Sequence, residues 1–223
     1  MAPRRAGIGH ARRTCYSRGP TRQPPLNPML HRAPTIGVLS FQGDFAAHAQ
    51  TLERAGACPR LARRIADLDG LDGLILPGGE STTMLRFLRA EPWFDALRDF
   101  AASDRPLFGT CAGAILLARV VTHPAQASLG LLDITARRNG YGRQVDSFTA
   151  RIAVDALGPE PLEIVFIRAP VIEAVGPGVE VLATYGGRPV WVRQGRIFAT
   201  AFHPEMTDDT RVHEFVFDLK PSS

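Results

Sequence analysis

The stretch Pro106–Ala118, PLFGTCAGAILLA, decides the fold. The apolar pair Leu107-Phe108 runs into a cysteine held between Gly109 and Gly113, and a helix-like apolar run follows. Strand, tight turn and helix in immediate succession form the building unit of a parallel α/β sheet. The same order occurs upstream in Leu71–Thr83, LDGLILPGGESTT, where the apolar run Leu71–Leu76 meets Pro77-Gly-Gly. In an open parallel sheet, ligands bind beyond the carboxyl ends of the strands. Both glycine-rich turns, Pro77–Ser81 and Gly109–Gly113, fall at such ends, so two site loops are expected on one edge.

The pattern extends in both directions. Thr35–Ser40 reads as a buried strand, and Asp44–Arg54 as a helix stopped by Gly56. Further helices are expected at Met84–Leu88, Trp93–Ala102 and Ala114–Val121. From about residue 146 short strands take over: Phe148–Val154, Leu162–Ile167, Val179–Tyr185, Pro189–Arg193 and Ile197–Phe202, with Gly186-Gly187 as a hairpin turn. A last helix is expected over Asp208–Leu219, with Asp208 and Asp209 at its positive end. The predicted class is α/β in three layers, a parallel-core sheet with helices on both faces.

The chain's 223 residues suffice for one such domain with a real core. No run approaches the roughly 18 apolar residues that a membrane span needs. The formal net charge of +4 invites a nucleic-acid reading, but residues 1–33 carry seven arginines and no acid. Without those seven charges the remainder is about −3, so the basic character belongs to the extension. That extension holds five prolines and no apolar periodicity, and is expected to be disordered, ahead of a single domain at 34–220. A start codon at Met29 is the expectation for it; a genuine disordered arm and a targeting sequence are the alternatives. Of the three cysteines, Cys15 lies in the extension and Cys58 reads as a small hydrophobe near a strand start. No cysteine or histidine cluster has zinc spacing. An odd cysteine count without a secretory signal favours a reducing compartment, hence a cytoplasmic location.

Cys111 stands apart. Gly109-Thr-Cys-Ala-Gly113 is a G-x-C-x-G form of the strand–turn–helix nucleophile elbow. The sharp turn strains the nucleophile's backbone and demands small neighbours. It also points the N–H of Ala112 towards the reacting atom, and the helix start favours the thiolate. By itself the motif fits a packed cysteine as well as a nucleophile. A nucleophile needs a base, and the six histidines are not equivalent. His10 and His31 lie in the extension, His48 and His213 read as packed helix residues, and His123 sits in a loop. His203 ends the last strand in ATAFHPE, where Pro204 holds it extended and Glu205, two residues on, projects to the same side. A carboxylate that orients the imidazole completes a Cys–His–Glu triad; a surface His-Pro-Glu turn is the structural alternative.

Taken together, PGGES, GTCAG and FHPE, in this order, resemble the triad-type (class I) glutamine amidotransferases. More narrowly, IGVLSFQGDFAAH, LDGLILPGGESTTM, LGLLDI, RRNGYGRQVDSF, FIRAP and FHPEMTDD resemble the glutaminase subunits of pyridoxal 5′-phosphate synthases, over roughly residues 35–219. The resemblance implies a flavodoxin-like sheet and hydrolysis of L-glutamine, with Cys111 as nucleophile, His203 as proton carrier and Glu205 as its support. It implies glutamine binding by Gly79, Glu80, Ser81, Arg138, Ile167 and Arg168. It implies an oxyanion hole from Gly79 and Ala112, completed by Gln42 and Gly43 in a loop at the partner contact. The partner is a separate synthase subunit that accepts the ammonia and switches the glutaminase on. No metal or cofactor is expected in this chain, and no nucleic acid or membrane partner. A glutaminase serving a different synthase, a non-catalytic module on the same scaffold and a cysteine peptidase are the competing readings.

Overall fold

The computed structural model describes residues 32–138 and 147–219. The expected disordered extension therefore lies outside the described residues apart from Arg32 and Ala33, as do residues 139–146 of the segment from Arg138 to Phe148. The strands are β1 (Thr35–Leu39), β2 (Cys58–Ala62), β3 (Gly73–Leu76), β4 (Leu107–Thr110), β5 (Ala118–Thr122), β6 (Leu132–Arg137), β7 (Ser147–Ile152), β8 (Leu162–Ile167), β9 (Val171–Val175), β10 (Glu180–Tyr185), β11 (Arg188–Gln194) and β12 (Ile197–Thr200). The helices are α1 (Phe45–Arg54), α2 (Ser81–Ala90), α3 (Trp93–Ala102), α4 (Ala112–Leu117) and α5 (Arg211–Phe217).

Seven strands form the central sheet in the order β10-β11-β12-β4-β3-β1-β2. From β12 to β2 every pairing is parallel, and β10 and β11 add an antiparallel edge. The alternation of side chains along a strand divides the core into two layers. Leu74, Leu76 and Leu107 face a cluster built with α2, α3 and α4, including Met84, Leu88, Trp93, Leu97 and Phe100. Ile36, Val38, Ile75 and Phe108 face the other side, where α1 and α5 supply Leu52, Val212 and Val216, and the β7–β8 hairpin adds Ile164 and Phe166. This is the expected three-layer sheet with helices on both faces. The Gly186-Gly187 turn also forms, both residues at positive φ, 56° and 74°.

Several local expectations are corrected. The helix after the elbow stops at Leu117, and Ala118–Thr122 is strand β5, paired with β6. The run Val120-Val121-Thr122 is β-branched and finds a sheet partner, so pairing overrides the apolar helical pattern. Strands β6 and β9, which make a small sheet with β5, were not among the expected elements. Helix α2 spans Ser81–Ala90, not only Met84–Leu88, and its cap is Glu80, whose carboxylate accepts from the Thr82 N–H at 3.3 Å. The last helix begins at Arg211, two residues after Asp209, which accepts the Arg211 N–H at 3.0 Å. Cys58 does begin a strand, but it is exposed. Among the described residues no helix is long and apolar enough to cross a membrane.

Candidate active site

Strands β3, β4 and β12 lie side by side, so the loops at their carboxyl ends meet on one edge. Thr110 pairs with Thr200, and the Cys111 N–H continues the ladder to the Thr200 carbonyl at 2.9 Å. The chain then turns sharply. Cys111 sits at φ 48°, ψ −101°, a strained conformation for a residue with a Cβ, and α4 starts at the next residue. The glycines make the turn possible: a Cβ on Gly113 would collide with the carbonyl oxygen of Leu76, and one on Gly109 would lie 2.6 Å from the Gly113 carbonyl carbon. Helix α4 therefore rests directly on the backbone of β3. Ala112, first in that helix, has no intrahelical acceptor for its N–H.

His203 lies just past β12, its backbone N–H bonded to the Val165 carbonyl at 2.8 Å. Its Nδ1 is 2.8 Å from Glu205 Oε1, and both side chains are buried. The pairing expected from sequence forms, though not through an extended chain: Pro204–Met206 is a 3-10 turn that brings Glu205 back under the ring. His203 Nε2 is buried without a hydrogen bond. Burial works against a charge on this ring, but the neighbouring Cys111 and the bonded Glu205 carboxylate outweigh it and push the imidazole up to about 11. Glu205 is itself raised, by burial first, with the His203 bond opposing and the nearby Asp44 charge adding to the rise. The Cys111 thiol also reaches the Ile167 carbonyl at 3.8 Å.

A cavity of about 310 Å³ opens above Cys111. Among its walls are His203, Gly79, Glu80, Ser81, Arg138, Ile167 and Arg168, together with Gln42 and Gly43. Thus every expected site residue borders the cavity except Ala112, beside the thiol, and Glu205, behind His203. Arg138 places a guanidinium nitrogen 3.4 Å from Glu80 Oε1, with only 12% of its side chain exposed. Glu80 is held below the usual carboxylate range, chiefly by the Thr82 hydroxyl and then by the Arg138 and Arg168 charges. Arg168 is exposed at φ 43°, and among the described residues it makes no ion pair within 4 Å. Ser81 Oγ donates to Gln126 Oε1 at 3.1 Å. The Gln42 carboxamide oxygen accepts the Glu80 N–H at 3.1 Å, and a Cβ on Gly43 would strike the Gly78 carbonyl. The loop after β1 is thereby locked onto the PGG turn.

Four contributors were not anticipated. Asp44 borders the cavity, 3.6 Å from His203 Nδ1. Gly78 backs the His203 ring so closely that a Cβ there would overlap it. His48 and His213 were read only as packed helix residues, yet His48 Nε2 lies 3.4 Å from Glu205 Oε2. Their positions carry a faint signal, since Asp44 and His48 are four residues apart and share a helix face. His123 is exposed and does not border the cavity. Asp44, His203 and Glu205 offer ligand atoms within 4.8 Å of one another, a spacing a metal ion could use. The His203–Glu205 bond accounts for their approach by itself.

A buried thiol at a strained elbow, an imidazole backed by a carboxylate, backbone N–H groups beside the thiol and a paired carboxylate and guanidinium across the cavity are the groups that acyl transfer from a small zwitterionic amide would need. The model of the SNO glutamine amidotransferase family matches residues 38–219, and the chain belongs to that family. Among similar proteins, the "Pyridoxal 5'-phosphate synthase subunit PdxT" of Solibacter usitatus (strain Ellin6076) is 55% identical over 183 residues, 80% of this chain and 95% of that protein. The protein of the same name from Deinococcus radiodurans is 55% identical over 190 residues, 83% of this chain and 96% of that one. A solved structure titled "Crystal structure of glutamine amidotransferase" superposes with a TM-score of 0.78 at 45% identity, covering 82% of this chain and 97% of the other. The "Structure of PurLQS from Thermotoga maritima" aligns with a TM-score of 0.63 at 17% identity and shares the fold.

Proposed function

We propose that this member of the SNO glutamine amidotransferase family hydrolyses L-glutamine to glutamate with Cys111, His203 and Glu205, and supplies the ammonia to a pyridoxal 5′-phosphate synthase subunit. The chain is the glutaminase subunit of that synthase, as its relatives' names and their 55% identity over nearly their whole length support. The observation that carries the triad is the placement of a strained, buried thiol and a carboxylate-backed imidazole on adjoining strand ends, in one cavity with Glu80 and Arg138.

The geometry suggests the following course. His203 takes the thiol proton at Nε2 while Glu205, at Nδ1, holds the ring's orientation and stabilises the imidazolium. The thiolate attacks the side-chain amide carbon of glutamine, and the carbonyl electrons move to oxygen. The Ala112 and Gly79 N–H groups are the donors proposed for that oxyanion, with Gln42 and Gly43 completing the set. The oxyanion re-forms its carbonyl, the C–N bond breaks, and His203 protonates the departing nitrogen to give ammonia. Water then gives a proton to His203 and attacks the thioester. Glutamate leaves and the thiol regains its proton. Glu80 and Arg138 are proposed to hold the α-ammonium and α-carboxylate, with Ser81, Ile167 and Arg168 closing the cavity around them. None of these steps calls on a metal or cofactor. The reading places the chain in the cytoplasm, with residues 34–220 as one amidotransferase domain.

The test is glutamate release from glutamine by the chain alone and with the synthase subunit added, using Cys111→Ala as control. Release that rises with the partner and vanishes in Cys111→Ala is expected. Release that persists in Cys111→Ala would remove the nucleophile assignment. Undiminished release without the partner would remove the coupling to the synthase.

A further inference from the structure

Behind the triad, on the side away from the cavity, lies a buried polar chain for which the proposed mechanism has no use. His48 on α1 is fully buried, as is His213 on α5. His48 Nδ1 is 2.9 Å from His213 Nε2, and His48 Nε2 is 3.0 Å from Thr110 Oγ1. That nitrogen also comes within 3.4 Å of Glu205 Oε2, the carboxylate oxygen not used by His203, which is buried and has no hydrogen-bond partner among the described residues. An unpartnered carboxylate oxygen in the interior is costly, so a donor facing it matters more than the same donor at a surface.

The tautomers follow from which atoms lack partners. Both histidines are neutral: burial holds His48 well below the ordinary imidazole value, with the His213 and His203 charges adding to it, and burial together with Arg54 brings His213 to about 3. A neutral imidazole has one N–H. If His48 carried it on Nδ1, His213 Nε2 would be the acceptor and its N–H would sit on Nδ1, which is buried without a partner. The lone pair of His48 Nε2 would then face the Glu205 carboxylate. If both rings carry the proton on Nε2, His213 donates to His48, and His48 donates to Thr110 Oγ1, with the positive end of its N–H on the side of Glu205 Oε2, 3.4 Å from the nitrogen. The only unmatched atom is then an acceptor, the less expensive kind. The groups around this chain are few. Glu205, His203 and Thr110 face His48 from the loop after β12 and from β4, His213 faces it from α5, Arg54 bears on His213, and Asp44 bears on His203 and Glu205.

We infer that His48 is a positioning residue for the reaction, its Nε2–H, set by His213, holding the outer oxygen of Glu205 so that this carboxylate stays ionised against His203. Helix α1 and the loop that begins it are thereby tied to the triad from behind. The inference rests on the triad reading, and its test is built to separate the two. Gln at position 48 can place an N–H near the former Nε2, whereas Asn can replace only the Nδ1 link to His213. The full chain of each variant is compared for glutamate release with the synthase subunit and for the rate of Cys111 alkylation by iodoacetamide against pH, which needs neither glutamine nor partner.

A donor to a charged group is worth enough to predict an approximately 10–100-fold lower kcat in His48→Asn, with KM within about threefold, and most of kcat restored in His48→Gln. With its donor gone, Glu205 takes up a proton more readily and His203 loses its counter-charge, so alkylation of His48→Asn at pH 6 should slow about tenfold while the rate at pH 9 stays near that of the unsubstituted chain. Equal behaviour of the two variants, or an unchanged pH profile in folded His48→Asn, overturns the inference. If neither variant folds, 15N spectra of histidine-labelled native chain decide it: Nε2–H tautomers at His48 and His213 support the arrangement, and an Nδ1–H tautomer at His48 overturns it. Loss of glutaminase activity in the unsubstituted chain, with the alkylation contrast intact, would count against the substrate and not against His48.

Discussion

Gly78→Ala adds one methyl group to the PGG turn and should disable the triad with little effect on substrate binding. A Cβ on Gly78 would lie 2.9 Å from His203 Nδ1 and 3.3 Å from an Asp44 carboxylate oxygen, and nearer still to His203 Cε1. Comfortable carbon contacts are about 3.5–4.0 Å, so the ring must retreat by roughly 1–1.5 Å. Little allows that retreat. His203 is buried, its N–H is fixed to Val165 at 2.8 Å, and its Nδ1 is committed to Glu205 at 2.8 Å. Movement of the ring stretches the Glu205 bond and carries Nε2 away from Cys111. A misplacement of about 1 Å costs on the order of 100-fold in rate. Overpacking adds about 1–3 kcal/mol of destabilisation, or roughly 2–12 °C in Tm for a chain of this size. Steady-state glutamate release with the synthase subunit should show kcat lowered about 100-fold and KM within about threefold. The KM expectation follows from Glu80 and Arg138, which the methyl does not touch. A folded variant whose kcat stays within threefold of the unsubstituted chain would refute the reasoning, because it would mean that the ring has room to move.

Two further outcomes follow from the same geometry. Arg138→Ala removes a mostly buried guanidinium 3.4 Å from Glu80, so KM for glutamine should rise about 10–100-fold with kcat within about threefold; an equal fall in kcat would place Arg138 in the chemistry. His213 is brought to about 3 by burial and Arg54, so between the free imidazole value near 6.5 and about 3 the unfolded chain binds a proton that the folded chain refuses. Stability should therefore fall on acidification through that window, by up to about 1.4 kcal/mol per pH unit from this site, and His213→Leu should flatten the urea-unfolding midpoint against pH. His203 acts in the opposite sense: its contribution is present in full below about 6.5 and fades only as pH rises towards 11, so it does not mask the acid limb.

The parts of the fold legible in the sequence are those where a buried strand runs into a glycine turn. Leu71–Leu76 and Leu107-Phe108 carry near-continuous apolar runs because strands of a parallel core are covered on both faces; the turn after Phe108 needs glycine because helix α4 lies on the backbone of β3, and the turn after Leu76 needs it because the His203 ring and the Gln42-Gly43 loop press on it. Strands β5, β6 and β9 form a side sheet of their own, and their short mixed sequences resemble loop or helix until they pair. The run after Cys111 shows the cause: AGAILLA suits a helix and ARVVT a strand, and what divides them at Ala118 is a partner, Leu132, that lies 14 positions away and leaves no local mark.

The site divides in the same way. Cys111, His203 and Glu205 stand out because each sits at an abrupt local feature: an elbow, a strand end before proline, a position two residues from a histidine. His48 and His213 lie inside ordinary amphipathic helices, 165 residues apart, and only the approach of α1 and α5 on one face of the sheet brings their rings to 2.9 Å. A side chain that touches substrate must be delivered to a strand end, and the turns that deliver it are written locally. A side chain that supports another from behind needs only to be buried on the correct face, where histidine looks like any other core residue. What distinguishes it is the atom it meets. For His48 that atom belongs to Glu205, so residues with catalytic consequence extend one layer deeper into this domain than its motifs reveal.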